Sequence, residues 1–418
     1  MTVAVAVVVA PVGAGAAHHA GTRRVFPFAT LRVPGDGARA RIGIAAAISS
    51  DGATIVAGAK PSRQGKVYIF TRPTSGWITT RAPQAVLSEP NPRSGDEFGS
   101  NVAISAHGRV IVAASYNGYE GTQAFVFVRP QFGWRSTSHA TAVLTNARLP
   151  AGAAFGYSIG VSGDGRTVAV GVGDVEEDVY VARAHGWKNA SRPSAVLMGS
   201  QGGGGNSSAV DATGRTVVVG NAAFNACSYV TSRRPRTRRQ DQCSSTVDTY
   251  ARPKMGWRGT LKPTSDFSPS SPTGVSNQFG AYVSVSDDGS KLLAGDSGAS
   301  KSWVYTKPAS GWNRPHLPHV DLAAPDKSGG TVSEAGALSG DGTIAAVGVL
   351  HAYTVAYLYR EPHAGWRTAK TPCTMLSVHR GGATGTMYSV RALSLSRTGT
   401  LALAGGVLKN ELLLYRLG

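Results

Sequence analysis

The stretch from Phe98 to Leu144 sets the pattern. Four apolar runs are separated by three breaks rich in glycine, proline and polar residues, and the pattern returns along the chain. The first run, Asn101–Ser105, is small and β-branched, as suits a buried strand. A tight break follows it at Ala106-His107-Gly108-Arg109, and its counterparts are Ser50-Asp51-Gly52, Gly163-Asp164-Gly165, Ala212-Thr213-Gly214, Asp287-Asp288-Gly289, Gly340-Asp341-Gly342 and Arg397-Thr398-Gly399. Asp-Gly between apolar runs is a strong hairpin signal, because glycine takes a positive φ without a Cβ clash. The second runs, such as Thr54–Gly58, Thr167–Gly171 and Thr400–Gly405, are almost wholly apolar and predict strands buried on both faces.

The third run ends in aromatics and meets a different turn, Arg72-Pro73-Thr74-Ser75-Gly76-Trp77, with counterparts ending at Trp134, Trp187, Trp257, Trp312 and Trp366. Proline presets φ and glycine supplies the reversal. Six of the 7 tryptophans stand at this one position, which predicts packing residues covering the edge of each unit; a row for stacking sugars is the other reading. Burying such a ring removes ~150–250 Å² from water, roughly 4–6 kcal/mol before opposing terms. The fourth run is short, as in Ala85-Val86-Leu87, Ala142-Val143-Leu144 and Ala195-Val196-Leu197.

One unit is therefore a four-stranded antiparallel meander of about 55 residues, which cannot bury both faces alone and predicts a ring of stacked units. The last unit, from Val390 to Leu417, supplies three runs and no Gly-Trp turn, while Phe28-Ala29-Thr30-Leu31 carries an unclaimed fourth-run signature. The expected fold is all-β: a seven-bladed β-propeller of four-stranded antiparallel blades, closed by an N-terminal strand pairing with the C-terminal blade. The expected division is a signal-like or disordered segment over 1–26 and a single propeller over 27–418. Val3–Val12 is too short to span a membrane and resembles the apolar part of a secretory signal, although a basic start is missing. Export to the outside or the cell surface is the expectation, with the cytoplasm as the alternative if that segment is no signal.

Phe-Gly at 98–99, 155–156 and 279–280 opens the first strand of its unit, and with the glycine-ended second strands and the Arg-Pro…Gly-Trp turn the chain resembles the bacterial FG-GAP repeat proteins. Their propeller is similar to the N-terminal domain of integrin α chains, and the resemblance implies the architecture and an adhesion-type role. Integrin-type blades often carry an Asp-x-Asp-x-Asp-Gly calcium loop. The turns here offer at most Asp287 and Asp288 together, too few carboxylates for a calcium site, so no metal and no cofactor are expected.

Blade 4 departs from the repeat with a basic insertion at about 221–246, in which Cys227 and Cys243 bracket Arg233, Arg234, Arg236, Arg238 and Arg239. In an oxidising compartment the two cysteines are a candidate disulfide worth ~3 kcal/mol. Cys373 is left over and reads as a small buried residue. Strand alternation puts both kinds of turn on one face and the variable loops on the other. That second face carries the arginine loop, Tyr116 and Tyr119 of blade 2, and the acidic stretch Asp174-Val175-Glu176-Glu177-Asp178, read as a solvated loop.

Charge sharpens this picture. Lys+Arg number 42 against 24 Asp+Glu, a net +18, which favours polyanionic partners. A wall polymer or acidic glycan is preferred over nucleic acid, since no nucleic-acid-binding fold is recognisable; a protein partner and a monomeric state are also compatible. Enzyme motifs fail in context. Gly156-Tyr157-Ser158-Ile159-Gly160 matches a nucleophile elbow but falls within a first strand, His316 and His319 frame a proline and read as loop residues, and Gly202–Gly205 lacks the Lys-Ser/Thr of a phosphate loop. The expected function is a non-enzymatic extracellular propeller binding a macromolecular, anionic ligand on its variable-loop face. The alternative is a propeller lyase or glycoside hydrolase, which requires carboxylates or histidines converging on the central channel.

Overall fold

The computed structural model describes residues 22–33, 42–59, 65–92, 97–116, 123–150, 153–173, 176–200, 205–222, 245–267, 278–313, 319–323, 332–349, 354–369, 371–378, 390–406 and 411–418. They form seven sheets whose strands pair in sequence order, so each repeat is a blade and the molecule is a seven-bladed β-propeller. Blade 2 is typical: Glu97–Ile104, Val110–Tyr116, Gln123–Val128 and Ala142–Leu144 run antiparallel from the axis outward. Blade 1 occupies 46–87, blade 3 155–198, blade 4 207–267, blade 5 279–323 and blade 6 332–377. Blade 7 takes three strands from 390–416, and its outer strand is Ala29–Leu31 paired antiparallel with Glu411–Arg416. The N-terminal strand thus closes the ring, with Leu31 fully buried.

The core lies between blades. One cluster joins Val56, Val67 and Ile69 of blade 1 to Ile111, Phe125 and Trp134 of blade 2, and the other clusters also lie at seams between neighbouring blades. The Phe-Gly signature has a packing cause. Phe98 is buried edge-on against Phe125 and Phe127, with centroids 5.6 and 6.2 Å away. Gly99 adopts φ +86°, and a Cβ on Gly58 would overlap its carbonyl oxygen, so the two backbones touch at a spot where neither can carry a side chain.

Each of the six Gly-Trp tryptophans ties the two turns of its own blade. Trp77 Nε1 donates to the Gly52 carbonyl at 2.9 Å, and Trp134, Trp187, Trp257, Trp312 and Trp366 do the same to Gly108, Gly165, Gly214, Gly289 and Gly342. These rings are packing residues, and both sets of turns share one face. On that face the first turns join from blade to blade. The amides of Asp51, Ala106, Asp164, Ala212, Asp287, Asp341 and Arg397 donate to Ala106, Gly163, Ala212, Asp287, Gly340, Arg397 and Ser50, and the last bond returns to blade 1.

The sequence pattern did not show a further edge contact. After five of the six Gly-Trp turns the chain crosses to the preceding blade and runs parallel to its outer strand: Gly259–Leu261 pairs with Ala195–Met198, and bridges join Leu31 to Thr80, Leu87 to Thr137, Leu144 to Ala190 and Leu322 to Ala369. Arg23–Val25 takes this place on blade 6, parallel to Thr374–Ser377. Such pairing covers sheet edges that would otherwise template association.

Candidate functional site

The seven innermost strands enclose an axial channel of about 270 Å³. Its lining side chains are mostly small and apolar, Ala47, Val102, Ile159, Ala209, Val283 and Leu393 among them, together with Ser208, Ser284 and Ser394, and include no carboxylate or imidazole. Two of its serines are occupied across seams: Ser394 accepts the Ile48 amide at 3.2 Å and Ser284 accepts the Leu338 amide at 3.0 Å. The convergence of charged groups that a channel enzyme needs is not found among the described lining residues.

The acidic stretch of blade 3 requires a correction. Asp174 and Val175 lie outside the described residues, but Glu176 opens the third strand, Glu176–Val181, and Glu177 and Asp178 are fully buried rather than solvated. Strand alternation sends Glu177 toward blade 4 and Asp178 toward blade 2. Burial pushes the Glu177 carboxyl well above the carboxylate range, opposed by the hydroxyls beside it. Ser158 donates to its Oε2 at 3.4 Å, the Ser208 hydroxyl lies alongside without meeting hydrogen-bond geometry, and Oε1 has no partner among the described residues. Asp178 is pushed up to about 7 by burial, against the pull of Asn146, whose Nδ2 donates at 2.8 Å. In blade 4 Asp248 is also buried and raised, and it accepts from the Ser200 amide and hydroxyl at 2.8 Å each and from Asn221 Nδ2 at 2.7 Å. Glu177 and Asp248 thus lie at the seam between blades 3 and 4, and Asp178 at the seam between blades 2 and 3. Ser158 of the elbow-like motif is buried beside Glu177, within the first strand of blade 3, Phe155–Val161.

Two smaller readings change as well. His319 begins the outer strand His319–Ala323 instead of lying in a loop, and its ring tilts against Tyr305 at 5.4 Å; His316 is outside the described residues. Cys373 is exposed, not buried, because it precedes the outer strand of blade 6 at the rim of the ring.

The residues proposed for ligand contact, Arg233, Arg234, Arg236, Arg238, Arg239 and Tyr119, lie outside the described residues, as do Cys227 and Cys243. Tyr116 ends the second strand of blade 2. The insertion leaves from Asn221 and returns at Thr246, a cross-strand pair at the end of blade 4 remote from its turns. Asn221 Nδ2 donates to Thr246 Oγ1 at 3.0 Å, which fastens the two stems together.

The turn face carries a basic sector that the repeat pattern did not single out. Arg109 and Arg129 face each other across blade 2, and Arg215 and Arg252 across blade 4, with backbone bonds of 2.8 and 2.7 Å. Blade 3 places Arg183 beside Ala182, whose amide donates to the Arg166 carbonyl. The sequence signal was present as Gly-Arg after the first turn and Arg before the second, but only the strand register brings the two together. No model of a known family matches this chain, and no curated protein sequence matches it.

Proposed function

We propose that this chain is a non-enzymatic binding propeller of the FG-GAP, integrin-α-like kind, exported to the cell exterior or surface, that contacts an anionic macromolecule through the variable-loop face of blade 4. One observation carries the binding reading over the catalytic one: the axial wall, where a propeller enzyme gathers its charged groups, presents mostly small apolar side chains and three serines, two of them bonded across seams. The family reading draws support from the Phe-Gly openings and the glycine contact behind them.

The basic insertion of blade 4 is the proposed contact. It starts and ends on paired, hydrogen-bonded stems at the end of the blade opposite the turns, which suits a loop presented by a rigid scaffold. Its five arginines supply the guanidinium forks that recognise phosphate and carboxylate.

The test is binding of purified protein to acidic glycans, anionic wall polymers and nucleic acid across a salt series. Wild type is compared with a variant carrying serine at Arg233, Arg234, Arg236, Arg238 and Arg239. The expected result is salt-sensitive binding to one polymer class that falls at least tenfold in the variant. Equal binding by both proteins would sink the loop assignment.

A further inference from the structure

The basic sector on the opposite, turn-bearing face is independent of the insertion and coincides with a second feature. Each second turn ends in a residue that precedes its glycine at the outermost point of the hairpin. In blades 2 and 4 that residue is large and apolar: Phe132 is 80% exposed and Met255 is 73% exposed. Both turns are closed at their bases, Gly133 N to Pro130 O at 3.1 Å and Gly256 N to Pro253 O at 2.9 Å, so the side chains stand on rigid tips. The equivalent residues elsewhere are Ser75, His185, Ser310 and Ala364.

The charges fall on the same blades. The slot after the first turn and the slot before the second are directly opposed across each blade. In blades 2 and 4 both hold arginine, and in blade 3 Arg166 is joined by Arg183. In blade 5 these slots hold Ser290 and Lys307, and in blade 6 Thr343 and Glu361, with Glu361 ion-paired to Lys291. Like charges placed directly opposite one another are unfavourable. Among the described residues no carboxylate lies within ion-pair distance of Arg109, Arg129, Arg166, Arg183, Arg215 or Arg252. The inter-turn hydrogen bonds Ala106 N to Gly163 O, 3.0 Å, and Asp164 N to Ala212 O, 2.9 Å, hold the three blades as one surface.

From this coincidence we propose that the turn face of blades 2–4 docks on an anionic lipid bilayer, with Phe132 and Met255 seated at headgroup level and the arginines on lipid phosphates. A soluble polyanion satisfies the arginines but leaves the two apolar tips in water. A bilayer interface satisfies both, because basic residues gain from the anionic surface while apolar side chains enter the headgroup boundary. The tryptophan-to-glycine bonds keep the turns rigid, so the surface needs no rearrangement to dock.

The test is co-sedimentation of the full chain with vesicles of neutral phosphatidylcholine and of phosphatidylcholine mixed with phosphatidylglycerol. Wild type is expected to sediment with the anionic vesicles only. Replacing the six arginines by serine is expected to lower partitioning roughly a hundredfold or more, since each basic residue near such a surface is worth about fivefold. F132S with M255S keeps the charge and is expected to lower it about tenfold. Both sets of side chains are at the surface, and unchanged far-UV and tryptophan spectra show that the fold is kept. The insertion variant is expected to sediment like wild type, which separates this surface from the loop. Absence of wild-type sedimentation with anionic vesicles would overturn the proposal, as would full sedimentation of the six-arginine variant. Sedimentation unaffected by the F132S, M255S pair and fully competed by soluble polyphosphate would assign the sector to a soluble polyanion instead.

Discussion

Asp178 and Asp248 occupy the third-strand position that holds Tyr68, Phe125, Trp303, Tyr357 and Leu413 in the other blades. A carboxyl in an aromatic slot loses hydration, so the neutral form is favoured. The pH dependence follows with a definite sign. Unfolded aspartate loses its proton near pH 4, whereas folded Asp178 keeps it to about pH 7. Between those values the native state binds the extra proton, so stability falls as pH rises, the reverse of ordinary acid denaturation. For this one group the change is on the order of 4 kcal/mol. Glu177 and Asp248 act in the same direction. Thermal melts are therefore expected at higher temperature at pH 5 than at pH 8, with a smaller difference in Asp178→Asn. A wild-type melting temperature that rises from pH 5 to pH 8 would show that these carboxyls are ionised in the fold.

At the scale of elements, the N-terminal segment holds two places in the ring. Arg23–Val25 lies along the outer edge of blade 6 with Arg23 and Arg24 exposed, and Ala29–Leu31 completes blade 7 with Ala29 and Leu31 buried. Arg32 then grips buried Glu411 through Nη2 at 2.6 Å and Nε at 3.1 Å. A chain starting at residue 27 is expected to lose about 1 kcal/mol, as an exposed edge pair is removed. One starting at residue 33 is expected to lose more than about 3 kcal/mol, through the Leu31 side chain and the stranded Glu411 carboxylate. Denaturant titration measures both, and size-exclusion of the shorter chain is expected to show association through the bared edge of Glu411–Arg416. Equal stability of the two truncations would remove Ala29–Leu31 from its closing role.

For the whole molecule, every blade is joined to both neighbours by core clusters and by the closed circuit of turn hydrogen bonds. Losing one blade exposes two interfaces, so unfolding is expected as one transition. Tryptophan fluorescence samples the second turns of six blades, and far-UV dichroism samples all the strands. Coincident curves are expected; separated ones would mean that a group of blades opens by itself. The charge is also arranged at this scale. The turn face carries six arginines against Asp164 and Asp211 over blades 2–4, while blades 5 and 6 carry Asp287, Asp288, Asp341 and Glu361 on the same face.

The strand order, blade number, turn positions and closure by Ala29–Leu31 were legible in the chain, because each depends on local chemistry repeated in register: glycine at a positive φ, apolar runs between turns, and one tryptophan per second turn. The glycine contact behind Phe-Gly, the parallel edge strands and the turn-to-turn hydrogen bonds were not, since they join residues of different blades. The same distinction governs the candidate sites. Clustered arginines of blade 4 stand out in the chain because they are neighbours in sequence. Arg109 and Arg129, or Arg215 and Arg252, are far apart along it and meet only through strand pairing. Glu176-Glu177-Asp178 reads as a solvated run, yet the strand begins at Glu176 and alternation turns successive side chains into opposite seams. Local composition therefore determined the elements and their number. Which polar groups are buried, and which charges share a surface, was decided by the packing of one blade against the next, where burial and cross-strand register are set.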